Sequence, residues 1–292
     1  MAIFEGSGVA LITPLKDGKV DYDALKELLE WHVSEGTDAI ISCGTTGEAS
    51  VLTDEEQIDV IKFTVDIIAG RIPVIAGVGS NYTEHGVELT KGAEKAGADA
   101  LLHVTPYYNK ASRKGLIAHF RAMAEATSLP IILYSVAART GVNIEPSVCE
   151  ELAGIENIVA IKEASGNISQ VVEIARRAPE GFDLYSGNDD MIVPLLSVGG
   201  AGVISVLANI APADTHLMVR KFLDGDIKGS YEIQLRAKPL VDALFCEVNP
   251  IPVKAALHIL GKCEYEYRLP LCRMDDGNFE KLKKEMQAYG LI

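Results

Sequence analysis

Basic residues are the minority in this chain. Lys and Arg number 27 against 41 Asp and Glu, giving a formal net charge of −14 over 292 residues. Nucleic acids and anionic membranes are recognised through basic footprints, so the balance argues against both as partners. Cysteine is scarce, at five residues. Cys43, Cys149, Cys246, Cys263 and Cys272 contain no Cys-x-x-Cys pair. A disulfide framework or zinc site is therefore not expected, and a reducing cytoplasm is the expected compartment. The segment Met1–Lys16 carries an acid at Glu5 and only a short apolar run. It lacks the basic start and long apolar core of a signal peptide. No stretch approaches the ~18 uncharged apolar residues of a membrane span. Also missing are a Gly-x-x-x-x-Gly-Lys-Ser/Thr phosphate loop, a His-Glu-x-x-His and a Gly-x-Ser-x-Gly. The six histidines are dispersed, so no metal site is expected.

What is present is an ordinary globular composition, 48% hydrophobic and 23% charged. Short apolar runs alternate with helical periodicity. The runs fall at Gly8–Pro14, Asp38–Gly44, Pro73–Gly79, Asp99–Pro106, Pro130–Tyr134, Ile158–Ala164, Phe182–Gly187 and Gly202–Leu207. Helical segments are expected over Asp21–Glu35, from Thr53, and over Thr83–Ala96, Lys114–Thr127, Pro146–Ala153, Ser169–Arg177 and Asp189–Val198. Thr53 with Glu56 three residues on is a capping box. Runs such as VIAGVG and GVISV do not alternate. Strands buried on both faces read this way, as in a parallel sheet covered by helices. Eight strand–helix units are the number that closes a (β/α)8 TIM barrel. An open doubly wound sheet would share the alternation, but Gly77-Val-Gly79 lacks the third glycine of a dinucleotide turn and follows the third strand. The expected organisation is a catalytic barrel over residues 1–225 and a three-helix extension over 226–292. Its helices are expected at Ser230–Phe245, Pro252–Leu260 and Asn278–Tyr289.

Active sites of such barrels lie at the C-terminal strand ends. Polar residues collect there: Thr13, Gly44–Glu48, Thr105–Asn109, Tyr134 with Arg139-Thr140-Gly141, Lys162-Glu163, Ser186–Asp189 and Ser205. Lys162 follows four apolar residues inside a strand. Burial would push its amine toward the neutral, nucleophilic form that makes Schiff bases. An ion pair with Glu163, or an outward-pointing edge position, would fit the same placement. Tyr134 is a core aromatic with a wet hydroxyl or a proton-transfer partner for Lys162. Thr45 and Thr46, flanked by glycines, suit a turn whose N–H groups meet a carboxylate, or a turn with no ligand. Arg139 is a carboxylate clamp or a solvated loop residue.

These strings resemble the 4-hydroxy-tetrahydrodipicolinate (dihydrodipicolinate) synthases, pyruvate-dependent class I aldolases. GSGVALITP, GTTGE, TPYYN, YxVxxRTG, IKEASGN, YSGND, GVISV, NPIPVK and RLPL carry the resemblance from end to end. It implies condensation of pyruvate with L-aspartate 4-semialdehyde in lysine and diaminopimelate biosynthesis. The rival within the chemistry is another pyruvate aldolase or lyase, acting on a sugar acid or hydroxy-oxo acid. The resemblance implies Lys162 as the Schiff-base amine and Tyr134, Thr45 and Tyr108 as a hydroxyl relay, with Tyr108 supplied by a neighbouring subunit. Thr46 and Thr45 would hold the pyruvate carboxylate, Arg139 the second substrate, and Gly187 and Ile204 would line the pocket. No cofactor is implied, and a homodimer or homotetramer is. Ser50, Asn81 and Tyr107 stand as the remnant of an allosteric lysine site, whose usual His and acid are replaced by Gln57 and His85, so weak or absent lysine inhibition is expected. Where the family pattern has Asn and Pro, this chain has Ser135 and Ala137, followed by Ala138. Loss of proline frees a backbone angle and adds an N–H, so a looser loop around Arg139 is expected.

Overall fold

The computed structural model describes residues 2–292. Eight parallel strands close into a barrel: β1 Gly6–Ala10, β2 Ala39–Ser42, β3 Val74–Gly77, β4 Ala100–Val104, β5 Ile131–Ser135, β6 Ile158–Glu163, β7 Asp183–Ser186 and β8 Gly202–Ser205. The sheet closes where Gly8 of β1 lies opposite Ile204 of β8. Side chains alternate between two apolar layers. Ala10, Ile41, Ile75, Leu102, Ile132, Ala160, Tyr185 and Ile204 fill the barrel. Val9, Ile40, Val74, Leu101, Leu133, Ile161, Leu184 and Val203 face the helices. Both faces of every strand are dry, which is why the runs are continuously apolar.

That parity fixes the chemistry-bearing residues. Ala160 points into the barrel, so Lys162 two positions on points the same way. Glu163 faces outward, where its Oε1 accepts from the Gln170 side chain at 2.9 Å. Ile132 likewise sends Tyr134 inward, and the two strands set Tyr134 opposite Lys162 in register.

The capping box forms: the Glu56 N–H donates to Thr53 Oγ1 at 3.2 Å and the Thr53 N–H to Glu56 Oε2 at 3.0 Å, opening the helix Asp54–Ile68. Three local features differ from the sequence expectations. The first strand starts and ends earlier than Gly8–Pro14, because beyond Ala10 the Ile12 N–H leaves the ladder for Asn209 Oδ1 at 3.1 Å. Residues Leu15–Lys16 and Lys19–Val20 form a small hairpin around Asp17-Gly18, both with positive φ, the signature of a two-residue turn. The expected helix Asp189–Val198 is a 3₁₀ turn at Asp189–Met191 followed by the short helix Ile192–Leu196. After the helix Pro212–Leu223 come Ile227–Leu244, Ile251–Ile259 and Asp276–Tyr289. The long helix packs against both Pro212–Leu223 and Asp276–Tyr289. Among the described residues no helix is long and apolar enough to cross a membrane.

Candidate active site at the C-terminal rim of the barrel

Lys162 is 5% exposed. Burial pulls its amine down from the usual lysine range to about 7. Asp189 opposes this drop and Arg139 adds to it. An amine with such a value is substantially neutral at neutral pH and able to attack a carbonyl. Its Nζ stands 4.2 Å from the centroid of the Tyr134 ring. Burial raises the Tyr134 phenol, while the Arg139 charge and the Thr45 hydroxyl lower it. The phenol therefore keeps its proton at rest and has both a hydroxyl and a cation beside it.

A cavity of about 460 Å³ opens against Tyr134, with Gly44, Thr45, Val136, Arg139 and Thr140 among its other walls. Lys162 is not itself a wall; the cavity reaches the amine's neighbour Tyr134. The same cavity runs on past Ser50, Asp54, Gln57, His85 and Tyr107. Gly187 sits on the other flank of the amine. A methyl group placed there would lie 3.1 Å from Lys162 Cε and 2.7 Å from Ala164 Cβ, so only glycine lets the turn come this close. Its N–H donates to the Glu163 carbonyl at 2.7 Å. Ile204 is fully buried inside the barrel on β8.

Thr45 is half-buried and Thr46 buried, in a turn that is held at several points. The Glu48 N–H donates to the Thr45 carbonyl at 3.1 Å. The Thr13 hydroxyl donates to the Gly47 carbonyl at 2.7 Å, and Asn249 Nδ2 to Thr46 Oγ1 at 2.9 Å. Arg139 projects from a single helical turn, Ala137–Thr140, and its Nη2 donates to the Asn249 carbonyl at 2.7 Å. The loop is bonded at several points. The N–H groups of Arg139 and Thr140 reach the Val136 carbonyl at 2.9 and 3.1 Å. Ser135 Oγ accepts the Ile144 N–H at 3.1 Å and donates to Asn143 Oδ1 at 3.3 Å.

Tyr108 stands apart from the others. It is 91% exposed with φ at +70°, on a strained loop outside the pocket. Ser50 and Tyr107 border the cavity, and Asn81 Nδ2 donates to the Tyr107 carbonyl at 3.2 Å. Gln57 stands on the cavity wall, its Nε2 donating to the Gly77 carbonyl at 2.7 Å. His85 bonds Ser80 Oγ through Nδ1 at 3.0 Å and Asp54 Oδ1 through Nε2 at 2.9 Å. Among the described residues no group of three His, Cys, Asp or Glu is placed to hold a metal ion.

Sequence reasoning gave no role to three residues that meet this site. Asp189 is buried, with Oδ2 accepting the Val206 and Leu207 N–H groups at 3.2 and 2.8 Å. Asn249 and Lys254 arrive from the C-terminal extension. Their only sequence signal was the string NPIPVK, far from any barrel strand.

The chain matches the model of the dihydrodipicolinate synthetase family over residues 3–289. It is 57% identical over 292 residues to a 4-hydroxy-tetrahydrodipicolinate synthase of Caldicellulosiruptor bescii, covering 100% of this chain and 99% of the relative. The crystal structure of dihydrodipicolinate synthase from Aquifex aeolicus superposes with a TM-score of 0.97 at 47% identity, covering 99% of both chains. A Cyanidioschyzon merolae enzyme of the same kind, solved with lysine bound, superposes with a TM-score of 0.97 at 42% identity over 100% of both chains.

Proposed function

The chain belongs to the dihydrodipicolinate synthetase family, and on that premise we propose that Lys162 is the amine through which it condenses pyruvate with L-aspartate 4-semialdehyde. The reaction is that of a Schiff-base-forming lyase and yields 4-hydroxy-tetrahydrodipicolinate. The observation that carries the assignment is an inward-facing lysine whose amine is pulled to about 7 beside a buried tyrosine.

The neutral Lys162 amine attacks the pyruvate ketone carbon. The carbinolamine loses water to give an iminium. That cation withdraws electrons and acidifies the methyl carbon, the hydroxyl relay takes the methyl proton, and the resulting enamine attacks the aldehyde carbon of the second substrate. The new alkoxide takes a proton, and the second substrate's amine then displaces Lys162 as the ring closes. Every step moves a proton, which is the work assigned to Tyr134 and the Thr45 hydroxyl. Thr45 and Thr46 hold the pyruvate carboxylate, Arg139 meets the carboxylate of the semialdehyde, and Gly187 and Ile204 shape the pocket around the imine.

Tyr108 enters this scheme only from a second copy, since its own chain leaves it in solvent. Exposed apolar side chains at Ile227, Tyr231 and Leu235 run along one stripe of the helix Ile227–Leu244 and support further self-association. Ser50, Asn81 and Tyr107 belong to a regulatory pocket in which lysine binds weakly, because His85 is tied to Asp54 and the Gln57 amide to the Gly77 carbonyl. Steady-state assay with L-aspartate 4-semialdehyde against a panel of sugar aldehydes tests the substrate assignment. Turnover of the semialdehyde alone is expected; preference for a sugar aldehyde would replace it with the sugar-acid reaction.

A further inference from the structure

Lys254 is the most deeply buried charge outside the reaction chemistry. Its side chain is 0% exposed and its partner Glu48 is 1% exposed. Lys254 Nζ donates to Glu48 Oε1, while Glu48 Oε2 is buried with no partner at all. Lys254 lies on the helix Ile251–Ile259 of the C-terminal extension, with the Tyr267 ring centroid 5.2 Å from its Nζ. Glu48 ends the turn that carries Thr45 and Thr46, and its φ of +56° is a left-handed conformation that residues other than glycine rarely hold.

A buried pair of this kind is a poor stabiliser. Apolar side chains of similar volume commonly serve stability as well or better, and an unpaired buried oxygen adds a desolvation cost. What a directional bond supplies and an apolar contact does not is orientation. The Glu48 N–H closes the turn onto the Thr45 carbonyl at 3.1 Å. Four and five residues upstream of Lys254 in the sequence, Pro250 and Asn249 lead into the same helix, and Asn249 Nδ2 grips Thr46 Oγ1 at 2.9 Å. The extension thus holds the turn by both of its ends. One end is the Thr46 hydroxyl; the other is the Glu48 carboxylate.

We propose that Glu48 and Lys254 are positioning residues for the first substrate: their buried ion pair fixes the left-handed backbone at Glu48 and so aims the Thr45–Thr46 turn at the carboxylate of the keto acid. The inference rests on the reading of Thr45 and Thr46 as the carboxylate-binding turn. It assigns to the helix after the barrel a function in ground-state binding of that carboxylate, separate from the proton transfers at Tyr134.

The test is the double variant Glu48→Met, Lys254→Met, which keeps side-chain volume and removes the bond. It is expected to stay folded with an unchanged or higher Tm, to raise KM for pyruvate by about tenfold, and to hold kcat within about threefold. If that variant does not fold, Glu48→Gln carries the test, with an expected rise in pyruvate KM of about threefold or more and a lowered Tm, since Lys254 is left buried without a countercharge. A folded variant with wild-type KM for pyruvate, or one whose loss lies only in kcat, overturns the proposal. Borohydride trapping of wild type with pyruvate runs in parallel. A wild-type adduct on Lys162 beside wild-type KM in the variants defeats this inference alone; no wild-type adduct defeats the reading it rests on.

Discussion

At the scale of single residues, the site works by taking water away from two groups and giving each a neighbour of known charge. Lys162 keeps a value of about 7 because burial outweighs the nearby Asp189 carboxylate. Below that pH the amine is protonated and inert; above it, the amine is free. Without the carboxylate charge, burial and Arg139 both push the amine downward. Asp189→Asn keeps an oxygen for the Val206 and Leu207 N–H groups, so the fold is expected to survive. The acidic limb of kcat/KM for pyruvate is expected to move to lower pH in this variant; a limb that stays in place would show that Asp189 does not act on Lys162. Tyr134→Phe preserves the ring against Lys162 and deletes the proton carrier. Its kcat is expected to fall by roughly 10²–10⁴ with an unchanged Tm, the usual range for loss of a positioned acid–base group. A fall of less than about tenfold would move the proton transfer to another group.

At the scale of elements, the barrel's alternation does the positioning. The string IVAIKE was legible as a buried strand, and the inward direction of Lys162 follows from the two-residue period once Ala160 is known to face the interior. The sequence left an ion pair with Glu163 open as an alternative. The structure separates them, because adjacent residues on a strand point to opposite faces and Glu163 bonds Gln170 instead. The hairpin at Asp17-Gly18 and the helical turn Ala137–Thr140 were not read from the sequence, since each is too short to have a period. Asn249 and Lys254 were invisible as site residues because their relation to Thr46 and Glu48 spans about two hundred residues of sequence separation, which no local pattern records. The turn after β7 gives a sharp prediction at this scale. Gly187→Ala puts a methyl group 2.7 Å from Ala164 Cβ and 3.1 Å from Lys162 Cε, so the turn or the amine must shift. Schiff-base formation is expected to slow by at least about tenfold while circular dichroism stays native, since a misplacement near 1 Å at a reacting group costs on this order. Wild-type trapping rates in that variant would show that the close approach has no role in positioning.

At the scale of the whole molecule, one chain brings together Lys162, Tyr134, Thr45, Thr46 and Arg139, but leaves Tyr108 in solvent on a strained loop. If a second copy supplies Tyr108, kcat per chain falls on dilution in step with dissociation seen by sedimentation, and Tyr108→Phe removes that concentration dependence together with the activity. Constant kcat across the dissociation range would place the whole relay within one chain. The pocket past Ser50 and His85 predicts little response to millimolar lysine; strong inhibition below about 1 mM, a ligand free energy beyond roughly 4 kcal/mol, would contradict it. The claim on which the rest depends is that the Lys162 amine becomes covalently joined to pyruvate. Borohydride reduction with pyruvate across a pH series, followed by peptide mass analysis, tests it directly. A single reduced pyruvyl adduct on Lys162 is expected, with a rate of formation that rises through a midpoint at about 7. An adduct on another lysine, no adduct, or a midpoint in the ordinary lysine range would contradict it.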